Sequence, residues 1–177
     1  MQAAVSLHPP FSLSAPDGPC VLGVRISGVD LTGEVDSAVL DAIHEVYLKH
    51  HLLSITGQRL TAEDLVRLSQ RFGRLERHVL SQYAHTDHPD VLLLSNEKKA
   101  DGKFKGLADA GSYWHSDLSY KAKPCITTLL SAIEVPEVGG DTFFCDMTAA
   151  YEALPDEMKH RLEGMQAVHD YAQRSDR

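Results

Sequence analysis

The stretch Tyr113-Trp-His-Ser-Asp-Leu-Ser-Tyr120 contains a histidine and an aspartate two residues apart, within an aromatic run that favours β-structure. In a strand, side chains at positions i and i+2 leave the same face, so His115 and Asp117 would point into one space. The aromatic neighbours would give that space an apolar surrounding. We therefore predict a strand here and treat the pair as a candidate site.

A neutral imidazole nitrogen and a carboxylate oxygen are two of the three protein ligands in the facial triad that binds non-haem Fe(II). Two other pairs have the same spacing, His85/Asp87 and His88/Asp90. They lie in a polar, proline-containing segment, which favours a turn whose side chains have no reason to share a face. Context therefore favours the pair in the aromatic stretch as metal ligands. A strand histidine hydrogen-bonded to a polar neighbour is the alternative on chemistry alone.

Composition and net charge limit the kinds of molecule that the protein is expected to bind. The chain has 177 residues, 43% hydrophobic and 24% charged, which is typical of one globular domain with a substantial core. A formal charge of −8 argues against binding to nucleic acid or anionic membranes, because such proteins usually carry a basic face. No stretch approaches the ~20 apolar residues of a membrane span, and no signal-peptide pattern opens the chain. We expect a cytoplasmic protein with small-molecule partners, no nucleic acid and no membrane.

The three cysteines, Cys20, Cys125 and Cys145, are widely spaced and include no C-x-x-C pair. Neither a disulfide framework nor a zinc site is indicated. We predict three buried, reduced thiols, which fits a reducing cytoplasm.

The order of elements follows from apolar periodicity. Residues 1–20 are predicted to form a poorly ordered arm, and 21–177 to belong to one domain. Helices are predicted to start at Asp36–Ser37, Thr61, Thr148 and Pro155, and all but the one at Thr148 are predicted to have an inward apolar stripe. Apolar runs predict the strands 21–31, 52–55, 91–95, 126–133 and 141–145.

Two polar segments have an open interpretation. His78 follows the second predicted helix and could reach a ligand, although a loop histidine is more often exposed to solvent. Residues 96–106 contain four lysines and two glycines. They could form a mobile loop that attracts an anionic substrate, or simply a solvated surface.

The aromatic stretch resembles the Trp-His-Thr/Ser-Asp signature of the taurine dioxygenase/2,4-dichlorophenoxyacetate dioxygenase (TauD/TfdA) family of Fe(II)/2-oxoglutarate enzymes. Four other segments resemble motifs of that family in the same order along the chain, namely 21–32, 70–75, 135–143 and 149–154. The resemblance extends over nearly the whole chain from about residue 21. The ordered set is far more specific than any single motif.

The resemblance implies a mixed α and β fold with a mainly β core, a double-stranded β-helix (jelly roll) with flanking N-terminal helices, incomplete in this chain. It also implies that His115 and Asp117 are catalytic iron ligands and that Thr142 binds the distal carboxylate of 2-oxoglutarate. His78 matches a histidine that contacts substrate in taurine dioxygenase. Gly111 stands where that enzyme has a substrate-contacting asparagine, which argues against taurine as substrate.

The implied reaction uses Fe(II), 2-oxoglutarate and O2 to hydroxylate a small anionic molecule, a carboxylate, sulfonate or sulfate ester, with release of succinate and CO2. We also expect a homo-oligomer. The family's second histidine ligand and its 2-oxoglutarate-binding arginine lie further downstream, so we expect 21–177 to be the N-terminal part of a single jelly-roll domain. The alternative is a catalytically inactive, truncated homologue that acts as a small-molecule binding or scaffold protein.

Overall fold

The computed structural model describes residues 9–16 and 22–170. The chain divides into two compact units. The first unit comprises the residues up to 108 together with 129–140, and the second comprises 109–128 and the residues from 141 onward.

A three-stranded sheet lies in the first unit. Its strands are β1 (Ser12–Ser14), β2 (Val24–Ser27) and β3 (Leu53–Ile55), in that spatial order. β2 pairs antiparallel with β1 and parallel with β3. The strands predicted within 21–31 and 52–55 are confirmed with narrower bounds, and residues 12–14 of the predicted arm dock on the sheet edge.

Two helices follow from strong local signals. Helix α1 (Ser37–His50) begins after Asp36, whose side chain accepts a hydrogen bond from the Ala38 N–H at 2.8 Å. Helix α2 (Ala62–Gln70) begins after Thr61, which forms a reciprocal capping box with Asp64. Both predicted helices are confirmed together with their capping residues. Helix α1 is the crossover that joins the parallel strands β2 and β3.

The hydrophobic core of the described residues lies between this sheet and the two helices. Ile26 on the central strand is completely buried, and Leu40 and Ile43 of α1 and Leu68 of α2 pack in the same cluster. The mixed α and β class is thus confirmed. In the described residues, however, helices contribute as much to the core as strands do.

Several predicted strands are wrong in the described structure. The segments 113–120, 126–133 and 141–145 form no strand, and 91–95 makes isolated bridges, including one between Leu94 and Leu107. A strand needs a neighbour that satisfies its N–H and C=O groups, and 113–120, 126–133 and 141–145 have no such neighbour among the described residues. The segment 91–95 pairs only at single bridges. Most apolar side chains of 126–133 and 141–145 are accordingly exposed, with 90% of Ile133 and 76% of Phe143 accessible to solvent. Leu129 is the exception in 126–133, because it packs partly against the core.

The second unit contains two short helices, α3 (Met147–Glu152) and α4 (Asp156–Leu162). Asp146, and not the predicted Thr148, caps α3 by accepting a hydrogen bond from the Ala149 N–H at 2.9 Å. Helix α4 begins after Pro155, as predicted. Its predicted inward stripe is exposed, because none of the second unit's described residues is buried.

The prediction of buried thiols is also wrong for two of the three cysteines. Cys125 is half-buried and Cys145 is exposed, because the second unit has no packed interior around them. Cys20 lies outside the described residues. No helix in the described parts of the chain is long and apolar enough to cross a membrane.

Candidate metal centre

His115 and Asp117 lie in the second unit, in a loop that turns sharply after the aspartate. Leu118 has a positive φ of 54°, and the Lys121 N–H donates to the Leu118 carbonyl at 2.9 Å. Because this segment is a loop and not a strand, the i, i+2 geometry of a strand does not explain where the two side chains lie. They nevertheless converge, with His115 Nε2 3.3 Å from Asp117 Oδ1.

A backbone contact determines the tautomer of His115. Its Nδ1 lies 2.8 Å from the Tyr113 carbonyl oxygen, which can only accept, so Nδ1 carries the proton. In the neutral ring, Nε2 then presents its lone pair toward the carboxylate of Asp117. Two acceptor atoms that face each other at 3.3 Å are stabilised by a cation between them, either a proton or a metal ion.

The donor set fits a divalent metal ion. Ligand atoms about 2.1 Å from a metal and at right angles to each other are roughly 3 Å apart, close to the observed separation of Nε2 and Oδ1. Metal-binding histidines usually donate their other ring N–H to a carbonyl or carboxylate, as His115 does to Tyr113. Thr128 completes the arrangement, because its hydroxyl donates to Oδ2 of Asp117 at 2.7 Å.

The centre is partial and open. Among residues 9–16 and 22–170, no group of three or more His, Cys, Asp or Glu side chains is placed to hold a metal ion. The side chains of His115 and Asp117 are 37% and 47% exposed. The described residues therefore provide neither a third protein ligand nor packed side chains that would exclude water from the pair.

Thr142, the predicted 2-oxoglutarate contact, lies in the same unit as the pair. It is exposed, and no hydrogen bond joins it to His115 or Asp117 in the described part of the chain. Two glycines precede it, Gly139 and Gly140, with positive φ values of 79° and 76°. This conformation agrees with the predicted turn. The role of Thr142 stays a prediction.

His78, the predicted substrate contact, lies in the first unit. Its ring is half-buried, and Nδ1 accepts a hydrogen bond from the Leu80 N–H at 3.1 Å. One ring nitrogen is thus engaged by the backbone two residues further along the chain. Its contact with substrate stays a prediction.

The competing His-x-Asp pairs form the predicted turn. Nδ1 of His85 accepts from the N–H groups of Asp87 and His88, both at 3.2 Å. The carboxylate of Asp90 is paired with Arg77 at 2.9 Å. Because Nδ1 of His85 accepts these hydrogen bonds, the proton of its neutral ring lies on Nε2, which leaves no lone pair for a metal ion. Asp90 already has a cationic partner in Arg77. Both contacts support the preference for the pair in the aromatic stretch.

The lysine-containing segment has mostly internal charge partners. Lys105 pairs with Glu97, Lys103 lies 3.9 Å from Asp101, and Lys98 lies over the Phe104 ring at 5.4 Å. These contacts favour the interpretation of 96–106 as a solvated surface.

Two neighbours of the pair matter for its chemistry. A Cβ added at Gly111 would lie 3.6 Å from Cε1 of His115, so the glycine leaves the imidazole edge uncovered. Thr128 is 11 residues from Asp117. Its contact was not predicted, because a hydroxyl at that separation carries no spacing signal.

Comparison with known proteins gives a consistent result. The family model described as "Taurine catabolism dioxygenase TauD, TfdA family" matches residues 13–177. Pentalenolactone F synthase from Streptomyces avermitilis is 32% identical over 151 residues, covering 84% of this chain and 49% of the relative. The alpha-ketoglutarate-dependent 2,4-dichlorophenoxyacetate dioxygenase of Cupriavidus pinatubonensis is 31% identical over 172 residues, covering 92% of this chain and 56% of the relative.

A solved structure shows the same relationship. The crystal structure of AAD-2 in complex with Mn(II) and N-oxalylglycine superposes with a TM-score of 0.62 at 25% sequence identity. The match covers 86% of this chain and 49% of that protein. The chain thus spans about half the length of the relatives that it matches.

Proposed function

Because the chain belongs to the taurine catabolism dioxygenase TauD, TfdA family, we propose that it forms part of an Fe(II)- and 2-oxoglutarate-dependent dioxygenase. The enzyme hydroxylates a small anionic substrate and releases succinate and CO2. The observation that carries this proposal is the 3.3 Å approach of an imidazole lone pair and a carboxylate oxygen at His115 and Asp117. Mn(II) in the related AAD-2 structure supports a divalent metal at such a site.

The two ligands have distinct tasks. His115 provides a neutral nitrogen whose tautomer is held by the Tyr113 carbonyl, and Asp117 provides the negative charge that offsets part of the metal's charge. When bound, Fe(II) would supply the activation of oxygen and the oxidative decarboxylation of 2-oxoglutarate. The protein's own contribution is to orient the reactants and to limit access of water.

The co-substrate site includes Thr142 in this proposal, with its hydroxyl donating to the distal carboxylate of 2-oxoglutarate. N-oxalylglycine, an amide analogue of 2-oxoglutarate, is bound in the related AAD-2 structure. The glycines before Thr142 allow the chain to turn there with positive φ.

We propose an anionic substrate larger than taurine. The name of one relative specifies an aryloxy carboxylate, 2,4-dichlorophenoxyacetate. Gly111 leaves space beside the His115 ring, which favours a substrate with a bulky group near the metal. His78 is proposed to contact the anionic end of that substrate.

The remainder of the site is proposed to come from a part of the protein outside these 177 residues. That part would contribute the second histidine, the arginine for 2-oxoglutarate, and the strands that complete a jelly roll. Those strands would cover the exposed side chain of Ile133 in the first unit and those of Ile126 and Phe143 in the second.

The proposal is tested by incubating the intact protein with Fe(II), ascorbate and 2-oxoglutarate, together with a panel of aryloxyacetates, alkyl sulfonates and sulfate esters. Succinate release that depends on one of these compounds, and that is lost in His115→Ala, is expected. His160→Ala is the matched control, because the His160 ring also contacts a backbone carbonyl, at 2.7 Å, outside the proposed centre. Binding of 2-oxoglutarate without succinate formation would instead favour an inactive binding protein.

A further inference from the structure

We propose that Thr128 is a positioning residue that orients the carboxylate of Asp117 toward the metal. The inference rests on the proposed function, because it concerns one of the proposed ligands. It assigns a role to a residue that lies outside the His-x-Asp motif.

The geometry separates the two oxygens of Asp117. Oδ2 accepts a hydrogen bond from the Thr128 hydroxyl at 2.7 Å, whereas Oδ1 faces His115 Nε2 at 3.3 Å. A hydroxyl bonded to an ionised carboxylate forms a short and comparatively strong hydrogen bond. It restrains rotation of the carboxylate about its terminal torsion, which is otherwise broad. Oδ1 is thereby kept as the oxygen that faces the imidazole.

The direction of this hydrogen bond is determined by its partners. An ionised carboxylate can only accept, so the single proton of the Thr128 hydroxyl is donated to Asp117. The Cys125 thiol lies 3.9 Å from the same hydroxyl oxygen and 3.6 Å from the Asp117 carbonyl oxygen. Because the hydroxyl proton is already donated to Asp117, the hydroxyl oxygen can only accept a hydrogen bond from the Cys125 thiol. The thiol therefore does not take the place of the carboxylate as the acceptor of the Thr128 proton.

The hydrogen bond from Thr128 matters most for metal binding if few packing contacts restrain the carboxylate. With its side chain 47% exposed, Asp117 has only limited packing to hold its rotamer. Groups that orient a metal ligand in this way typically contribute 10- to 100-fold to metal affinity. Loss of the Thr128 hydroxyl should therefore weaken metal binding without removing a ligand.

The test compares Thr128→Val, which preserves shape and removes the hydroxyl, with Thr128→Ser, which retains it. Mn²⁺ is titrated into the intact protein and the free ion is followed by its electron paramagnetic resonance signal. The Mn²⁺ dissociation constant is expected to rise about 10-fold in Thr128→Val and to stay within about twofold of wild type in Thr128→Ser. Thr127→Val is the matched control at the adjacent threonine, with no expected effect. Circular dichroism shows whether each variant keeps its fold, which a purely structural role for Thr128 would change.

Two results would overturn the inference in distinguishable ways. If Thr128→Val binds Mn²⁺ as tightly as wild type while His115→Ala does not, Thr128 has no positioning role and the metal centre stands. If wild type shows no His115-dependent Mn²⁺ binding, the proposed function and this inference both fail. Should Thr128→Val lose the native circular dichroism spectrum, Thr128→Ala takes its place in the same comparison with Thr128→Ser.

Discussion

At the scale of single residues, the chemistry of the site depends on which atom of each side chain is already occupied. The Tyr113 carbonyl occupies Nδ1 of His115, and the Thr128 hydroxyl occupies Oδ2 of Asp117. The two remaining atoms, Nε2 and Oδ1, face each other at 3.3 Å. This division of contacts distinguishes the pair from the two competing His-x-Asp pairs. Nδ1 of His85 is itself the acceptor, so Nε2 of its neutral ring carries the proton and has no lone pair for a metal ion. The carboxylate of Asp90 is already paired with Arg77.

Gly111→Asn tests the space beside the His115 ring. Asparagine tolerates the positive φ of 74° at this position better than other side chains do, and its Cβ would lie 3.6 Å from Cε1 of His115. We expect kcat/KM for a bulky aryloxyacetate to fall about 10-fold or more relative to a small alkyl sulfonate. Gly102→Asn is the control, because Gly102 has a φ of 82° and open space around its Cβ position. An unchanged ratio of the two kcat/KM values would exclude Gly111 as a determinant of substrate size.

At the scale of elements, the start of α2 is held by one carboxylate with several partners. Asp64 pairs with the Arg67 guanidinium and accepts hydrogen bonds from the N–H and hydroxyl of Thr61 and from the N–H of Gly33. These contacts, with Arg67 the largest, keep the pKa of Asp64 well below its usual range. The capping box therefore also ties α2 to the turn that contains Gly33.

This lowered pKa predicts how stability depends on pH. An unfolded aspartate has a pKa of about 3.9, so the stabilisation by Asp64 is fully present above that value and is lost as the pH falls through the lower folded-state pKa. We expect the melting temperature of wild type to exceed that of Asp64→Asn at about pH 7, and the difference to shrink below about pH 4. Thermal unfolding followed by circular dichroism measures it. Asp41→Asn, which removes an exposed carboxylate 3.9 Å from Arg71, is the control. If the difference in melting temperature between wild type and Asp64→Asn does not change with pH, the lowered pKa of Asp64 is not a source of stability.

An element can be predicted from the sequence when the contacts that determine it join residues close together in the chain. The caps at Asp36 and Thr61 act within three residues, so the sequence was sufficient to locate α1 and α2. The apolar run 126–133 has strand-like composition, but a strand also needs a neighbour, and none is present in the described residues. The contact from Thr128 to Asp117 depends on the path of a loop and has no signature in residue order.

At the scale of the whole molecule, burial is unequally distributed between the two units. All the buried core residues of the described chain, such as Ile26 and Ile43, belong to the first unit. The second unit contains the proposed metal ligands but no buried residue among 109–128 and 141–170. The site chemistry therefore lies in the part with the fewest packing contacts of its own.

Hydrogen exchange of this 177-residue chain should follow the same division. Backbone amides in β2, α1 and α2 are expected to exchange slowest, because opening them exposes the buried cluster around Ile26. Amides of 109–128 and 141–170 are expected to exchange orders of magnitude faster. Mass spectrometry of peptic fragments measures both sets in one experiment. Equal protection in the two units would show that the second unit has packing that the described structure lacks.

The most direct test of the central claim is the visible absorption of the intact protein after anaerobic addition of Fe(II) and 2-oxoglutarate. Chelation of the metal by 2-oxoglutarate at a centre that includes His115 and Asp117 predicts a metal-to-ligand charge-transfer band. That band should be absent in His115→Ala and retained in the control His160→Ala. No band in the wild-type protein, or a band that is unchanged in His115→Ala, would contradict the assignment of this pair as the iron ligands.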